Sequence, residues 1–273
     1  MGLAMATEPL AGKSVLVTGG ARRIGRAIAL ALAHAGADVA ISWRTSQSDA
    51  AETAAAIAAL GRRAHAVQCD IRSEASVRAA VAQVIAAFGR LDVLVNNAAV
   101  FASAALESLT IEQWDTVFET NARGPFLAAR EALPHLRAAH GRIINIGSLG
   151  ASHAWAGHAH YCASKAALHM LTKAMAKAFA PEVSVNCVAP GWIEFPSSPE
   201  FPASPESPTS PAARSAASAR SADERAAARF AAKTPMGRNG DVGDIAQAVL
   251  FFASGPHFIT GQTLAVDGGL GLS

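Results

Sequence analysis

Tyr161 and Lys165 stand four residues apart in the run His160-Tyr161-Cys162-Ala163-Ser164-Lys165-Ala166-Ala167, and Tyr161 is the only tyrosine of the chain. The run reads as the start of a helix, and residues four apart on a helix share a face. An ammonium beside a phenol favours the phenolate, so Lys165 is expected to lower the Tyr161 pKa from about 10. Such a tyrosine exchanges a proton with a carbonyl or an alcohol near neutral pH. Ser148 lies thirteen residues upstream, at the end of an apolar run, where its hydroxyl could reach the same oxygen. Tyr-x-x-x-Lys alone is a common surface pattern, so its weight depends on what else the chain carries.

The stretch Thr18-Gly19-Gly20-Ala21-Arg22-Arg23-Ile24-Gly25 follows the apolar run Ser14–Val17 and precedes a helix-like run from Arg26. Strand, glycine-bearing turn and helix in that order cradle a dinucleotide pyrophosphate. An NAD-binding unit places a carboxylate at the end of its second strand to grip the ribose 2′-hydroxyl. Here that strand ends Ser42-Trp43, followed by Arg44-Thr45-Ser46, and the acid is missing. A 2′-phosphate is repelled by a carboxylate and held by a guanidinium. Arg44, with Thr45 beside it and Arg22 approaching from the first turn, therefore predicts NADPH over NADH.

Short apolar runs alternate with helix-length segments along the rest of the chain. The strand-like runs are Ser14–Thr18, Asp38–Trp43, Ala64–Cys69, Asp92–Asn96, Arg142–Gly147, Val183–Val188 and Thr263–Asp267. Between them, sets such as Val77, Val81, Val84, Ile85 and Phe88 share one helix face. Leu168, Leu171, Met175 and Phe179 form another. Seven strands alternating with helices predict an α/β fold, a parallel sheet covered on both faces. With no second core and no internal repeat, residues 1–273 read as a single doubly wound Rossmann-type domain.

Composition narrows the function classes. Just over half of the 273 residues are hydrophobic and the net charge is +2, which gives no case for a nucleic-acid binder. Three cysteines without framework spacing argue against a disulfide scaffold, and the nine histidines show no metal-ligand spacing. No run approaches membrane-spanning length, and the start MGLAMATEPLAGK lacks the features of a signal peptide. A cytoplasmic protein is the expectation. One segment, 194–232, breaks the pattern. Its prolines at 196, 199, 202, 205, 208 and 211 recur every third residue, the period of polyproline II. This proline-, serine- and alanine-rich insertion reads as a mobile surface segment, a rim over the site, or a docking strip; its end, Asp223–Ala232, looks helical.

With these motifs together the chain resembles the short-chain dehydrogenase/reductase family, from about Gly12 to Gly269 apart from the insertion. The resemblance rests on Thr18-Gly19…Gly25, Asp70, Asn96-Asn97-Ala98, Asn121, Ser148, Tyr161-Ala163-Ser164-Lys165, Pro190-Gly191 and Val266-Asp267-Gly268-Gly269. It implies roles. Tyr161 would be the general acid/base, Lys165 would hold the nicotinamide ribose, and Ser148 would orient the substrate oxygen. Asn121 would position a water that relays protons to Lys165. Gly19, Arg22, Arg23, Ile24 and Gly25 would surround the cofactor phosphates. Asp70 and Ile71 would meet the adenine, and Asn97, Ala98 and Ala99 would lie along the cofactor. Pro190, Gly191 and Ile193 would pack against the nicotinamide, with Trp192 on the substrate side. Asp70 could instead cap the helix that begins near Ser73.

Arg23 departs from the family's common pattern, which has a glycine there. The same arginine occurs in pteridine reductases, where a phenylalanine in the register of Phe101 stacks on the pterin. Those enzymes carry an aspartate where this chain has Ser148, and a serine suits a carbonyl. Arg23 is expected to reach over the pyrophosphate toward the substrate. The leading expectation is reduction of a carbonyl or C=N group in a small substrate, with a ketone or oxoacyl compound ahead of a pterin. A reductase of carrier-bound oxoacyl chains would want a basic patch, for which Arg123, Arg130 and Arg137 give a weak sign. The other reading is an NADPH-binding interaction protein that docks through the proline strip. The histidines between His153 and His160, with Trp155, are expected near Tyr161. Relatives are commonly tetramers or dimers, packing helices like those in Ile111–Ala139 and His160–Phe179 against symmetry mates.

Overall fold

A computed structural model describes residues 8–195, 225 and 227–272. The strands are β1 (Ser14–Val17), β2 (Asp38–Trp43), β3 (Ala64–Gln68), β4 (Val93–Asn96), β5 (Arg142–Ile146), β6 (Ser184–Pro190) and β7 (Thr263–Val266). They pair in parallel in one sheet, ordered β3-β2-β1-β4-β5-β6-β7. The helices are α1 (Arg23–His34), α2 (Gln47–Ala59), α3 (Glu74–Phe88), α4 (Ile111–Phe118), α5 (Gly124–Ala138), α6 (Ala159–Phe179), α7 (227–233) and α8 (Val242–Ser254).

Side-chain alternation along the strands feeds two cores. Val15, Val17, Val39 and Ile41 face one layer with Ile28 and Leu32 of α1 and Ile245, Val249 and Phe252 of α8. Leu16, Ala40 and Leu94 face the other, with Val77, Val81 and Val84 of α3, Leu127 and Leu136 of α5, and Met175 of α6. The helix faces expected from spacing are the buried ones: Val77, Val81, Val84 and Phe88 are in the core and Ile85 packs against it.

Strand order reverses between β1 and β4, and ligands of open parallel sheets bind at the carboxyl ends of the strands at such a point. Thr18–Gly25 leaves β1 there, Asn97 leaves β4, Ser148 follows β5, and Gly191 leaves β6. Strand β6 runs two residues past the expected Val188. Pro190 keeps register with Val266 because the next residue supplies the missing donor, Gly191 N–H to the Val266 carbonyl at 3.0 Å.

The proline run lies outside the described residues. Where the chain leaves for it, Ile193 bridges to Gly240 and Glu194 N–H donates to the Gly240 carbonyl at 2.9 Å. Where it returns, 227–233 is helical, inside and just beyond the helix expected over Asp223–Ala232.

Candidate active site

The turn after β1 is closed by contacts that leave no room for side chains. Gly19 has φ +63°, and a Cβ there would lie 3.0 Å from Ala98 Cα. A Cβ on Gly25 would be driven into the Gly19 carbonyl and would come within 2.6 Å of Asn97 Nδ2. Asn97 ties the turn down by donating to the Thr18 and Gly19 carbonyls at 2.9 and 3.0 Å. The Thr18 hydroxyl in turn accepts from the N–H groups of Asn97 and Ala98 at 3.0 and 3.1 Å. The result is a backbone cradle at the amino end of α1, the geometry that accepts a phosphate. Arg22 stands at the N-cap with extended backbone, and Ile24 packs into the core beneath.

Arg23 has φ +52°, the left-handed region that a glycine adopts without strain. Its guanidinium lies 4.9 Å from the centre of the Phe195 ring. Burial and the neighbouring Arg22 charge push its pKa down. The side chain therefore spans from the turn after β1 to the segment after β6. Arg44 and Thr45 are exposed at the end of β2, beside the end of β1. The Arg44 charge reaches Asp70.

Ser148, Tyr161 and Lys165 are all buried at the carboxyl edge of the sheet. Ser148 Oγ accepts from Gly150 N–H at 3.1 Å, which fixes its hydroxyl. Lys165 donates from Nζ to the Ile146 carbonyl at 2.8 Å, and burial lowers its pKa to about 8. Tyr161 departs from expectation. Its pKa is raised, because burial outweighs the opposing hydrogen bond with Ser148. Lys165 shares the face of Tyr161 as its spacing requires, but its Nζ is 5.8 Å from the ring centre and spends a proton on a carbonyl. At that distance the ammonium does not offset the loss of water around the phenol.

Below the trio lies a polar scaffold. Asn121 is fully buried in a π-helical turn, Glu119–Arg123, between α4 and α5. Its side chain accepts from Val100 N–H at 2.8 Å and donates to the Val100 carbonyl at 2.9 Å and Ser164 Oγ at 3.1 Å. The Ser164 hydroxyl in turn donates to the Tyr161 carbonyl at 2.7 Å. Deeper still, Asn96 donates to Asn145 at 2.9 Å and Asn145 to Thr172 at 2.8 Å, joining β4, β5 and α6.

The sequence matches the family model of short chain dehydrogenases over residues 13–203, and one described as enoyl-(acyl carrier protein) reductase over 207–271. The 3-oxoacyl-[acyl-carrier-protein] reductase FabG of Staphylococcus aureus strain Mu50 is 36% identical over 261 residues, covering 94% of this chain and 98% of that one. This chain belongs to the short-chain dehydrogenase/reductase family. Among solved structures, a short-chain dehydrogenase/reductase from Serratia marcescens BCRC 10948 superposes with a TM-score of 0.83 at 36% identity, covering 96% of this chain and 99% of that one. A blue fluorescent protein from a metagenomic library, in complex with NADPH, gives 0.80 at 36% identity with the same coverage. The chain is an oxidoreductase of this family.

The remaining candidate residues have the following partners within the protein. The Asn121 side chain is committed to Val100 and Ser164, so any water relay would have to use its backbone. Asp70 forms a bidentate pair with Arg72 at 2.7–3.3 Å, which lowers its pKa to about 2, while the cap on α3 is Ser73. Ile71 is buried and packs against Gly124. Trp192 stacks on Phe230 of α7 at 4.2 Å and 13°. Arg123 pairs with Glu119 and Arg130 with Glu74 and Glu131. Asn97 serves the turn, as above, and Ala98 and Ala99 line the way from it toward Phe101.

An aromatic cluster surrounds the phenol. Phe101 stacks on His158 at 4.6 Å and 18°, and stands edge-on to Tyr161 at 4.8 Å and 89°. Trp155 lies parallel to Tyr161 at 6.1 Å and 13°. Sequence reasoning placed Trp155 and these histidines near Tyr161 but gave them no arrangement. It missed Ser164 and Thr18 as supports altogether, though a hydroxyl on the buried face of a helix needs a partner and could have signalled one.

Proposed function

We propose that this chain is an NADPH-dependent reductase of a carbonyl, or related C=N, group in a small substrate, with Tyr161 as its general acid. The observation that carries the reading is the convergence of Ser148, Tyr161 and Lys165, all buried, on the same edge of the sheet as the backbone cradle at Gly19 and Gly25. The cradle suits a dinucleotide because both glycines sit where a Cβ would strike backbone or Asn97. Gly19, Arg22, Ile24 and Gly25 would hold its phosphates, and Pro190, Gly191 and Ile193 its nicotinamide end. Arg44 and Thr45, exposed at the end of β2, would offer a 2′-phosphate a cation and a hydroxyl. When bound, NADPH supplies the hydride.

The protein supplies the proton and the position. Ser148 Oγ, already fixed by Gly150, can donate to the carbonyl oxygen. Tyr161 gives that oxygen its proton, and its raised pKa keeps the phenol protonated and ready to do so. Lys165 can turn from the Ile146 carbonyl to a ribose hydroxyl, bringing its charge nearer the phenol.

FabG, the 36% identical relative, is a 3-oxoacyl reductase, and an oxoacyl compound heads the candidate substrates with simple ketones. A pterin stays behind them. The two features that suggested it are engaged elsewhere, Arg23 on Phe195 and Phe101 on His158, and Ser148 replaces the needed acid. We read residues 1–273 as one domain, assembled as a homo-oligomer through α4, α5 and α6. Exposed Ile111, Phe126 and Met170 on those helices give such contacts apolar surface. The deciding experiment is NADPH oxidation against a diketone, an oxoacyl thioester, a quinone and dihydrobiopterin, each repeated with NADH. Carbonyl turnover with NADPH supports the proposal; turnover of the pterin alone overturns it.

A further inference from the structure

Beside Tyr161 the loops after β4 and β5 enclose a groove of about 640 Å³. Residues 103–107 form one side, and 154–157 with Ala159 the other. Five of the lining residues are alanines, and Ser103 and Glu107 are the only ones with a polar side chain apart from the Trp155 indole N–H. The two loops are tied to each other. Ala104 N–H donates to the Gly157 carbonyl at 2.8 Å, and His158 Nδ1 bonds the Ala102 carbonyl at 2.9 Å. Gly157, with φ +75°, permits the bend, and a Cβ there would meet nothing nearer than the Ala104 carbonyl at 3.9 Å. The groove is therefore preformed, apolar and within the size range of ligand pockets.

Trp155 belongs to both the groove and the catalytic cluster. Its ring is 13° from parallel to that of Tyr161, and Phe101 stands edge-on to both, at 78° and 89°. Trp155 stacks over Tyr161 on one side and lines the groove among the alanines, so a flat ligand could cover ring surface that a flexible chain would touch only along a line. Ring pairs also favour such offset contacts beyond simple area burial.

We infer that the groove is a substrate subsite for a fused-ring aryl group attached to the reacting carbonyl, with Trp155 as its ring platform. The inference rests on the carbonyl-reductase reading above. The ring system lies between Trp155 and the alanine wall, and the carbonyl reaches back to Tyr161 and Ser148. Ala156 is exposed, so a large side chain there fills the groove without entering the core.

The test compares 2-acetylnaphthalene with 2-dodecanone, an alkyl ketone of equal carbon number, and with diacetyl, which is too short to leave Tyr161. The wild-type enzyme should favour the aryl over the alkyl ketone by about tenfold in kcat/KM, near the upper end of a ring–ring contact. Ala156→Trp should remove that preference through KM and change diacetyl turnover less than about twofold, since nothing at Tyr161 moves. Equal use of the two long ketones by the wild type, or an unchanged aryl KM in Ala156→Trp, overturns the inference. Calorimetric binding of 2-acetylnaphthalene in the presence of NADP+ reads the groove separately from the reaction. Binding that Ala156→Trp abolishes supports the subsite even if no carbonyl compound is turned over, an outcome that sinks the reductase reading instead. No binding to the wild type removes the subsite.

Discussion

Lys165 donates to the carbonyl of Ile146 at 2.8 Å, and the ring of Tyr161, one helical turn earlier, lies 5.8 Å from its Nζ. The two residues share a helix face, yet the charge of one does not tune the other. Burial dominates both groups: it raises the phenol and lowers the amine to about 8. The tuning expected from sequence needs Lys165 to leave Ile146, for which the ribose hydroxyl of the proposed cofactor would offer an alternative partner.

The lowered Lys165 pKa links stability to pH. An amine with a value of 10.5 when unfolded and about 8 when folded makes the unfolded state bind more protons between those pH values. Stability from this group therefore rises with pH across that window, as its buried charge is lost. Cys187, raised to about 11 by burial, acts in the opposite direction. The comparison must therefore be with a variant that differs at Lys165 alone. The stability advantage of Lys165→Met over the wild type should shrink between pH 8 and pH 10, measured by urea unfolding. A constant gap contradicts the assigned burial.

Asn121 holds both polar groups of the Val100 backbone. Asn121→Ala leaves them without their partner, and a buried unsatisfied group costs about 1–3 kcal/mol. A loss of about 2–4 kcal/mol is expected in denaturant unfolding. Ser164→Ala removes a bond from the same chain but frees no Val100 group, and should cost less. A larger loss for Ser164→Ala would mean that the scaffold hangs from α6 rather than from the π-helical turn.

The cradle predicts that Gly25→Ala abolishes tight NADPH binding. Its methyl cannot coexist with the Gly19 carbonyl, so the turn must open. Overpacking of this kind costs about 1–3 kcal/mol. Calorimetric titration should show at least tenfold weaker binding, roughly the equivalent of 1.4 kcal/mol. Unchanged affinity would place the pyrophosphate elsewhere.

Arg44 should set cofactor choice. A hydrogen bond to a charged group contributes about 1.5–3 kcal/mol, so Arg44→Ala should weaken NADPH by about tenfold to a hundredfold or more and leave NADH little changed. Equal losses for both cofactors would remove the 2′-phosphate from this residue.

Much of this was legible in the sequence, for identifiable reasons. Strand alternation and helix spacing gave the sheet and its two covers because burial alone enforces those periods. The missing acid after Trp43 and the spacing of Tyr161 and Lys165 were local facts. Contacts distant in sequence were not legible. The Arg23–Phe195 and Trp192–Phe230 pairs depend on where the two ends of the insertion lie. That Ser73 and not Asp70 caps α3 turned on the pairing of Asp70 with Arg72, which type and position leave open. The sign of the Tyr161 shift depended on a competition between burial and a charge whose direction only coordinates reveal.

The most direct measurement of the central claim is NADPH oxidation with a carbonyl substrate by the wild type and by Tyr161→Phe. The substitution removes the acidic proton and keeps the ring that Phe101 and Trp155 touch. Removing a general acid costs about 10²–10⁴-fold. We predict a fall in kcat of that size with NADPH affinity unchanged. Turnover by Tyr161→Phe at the wild-type rate would contradict the account.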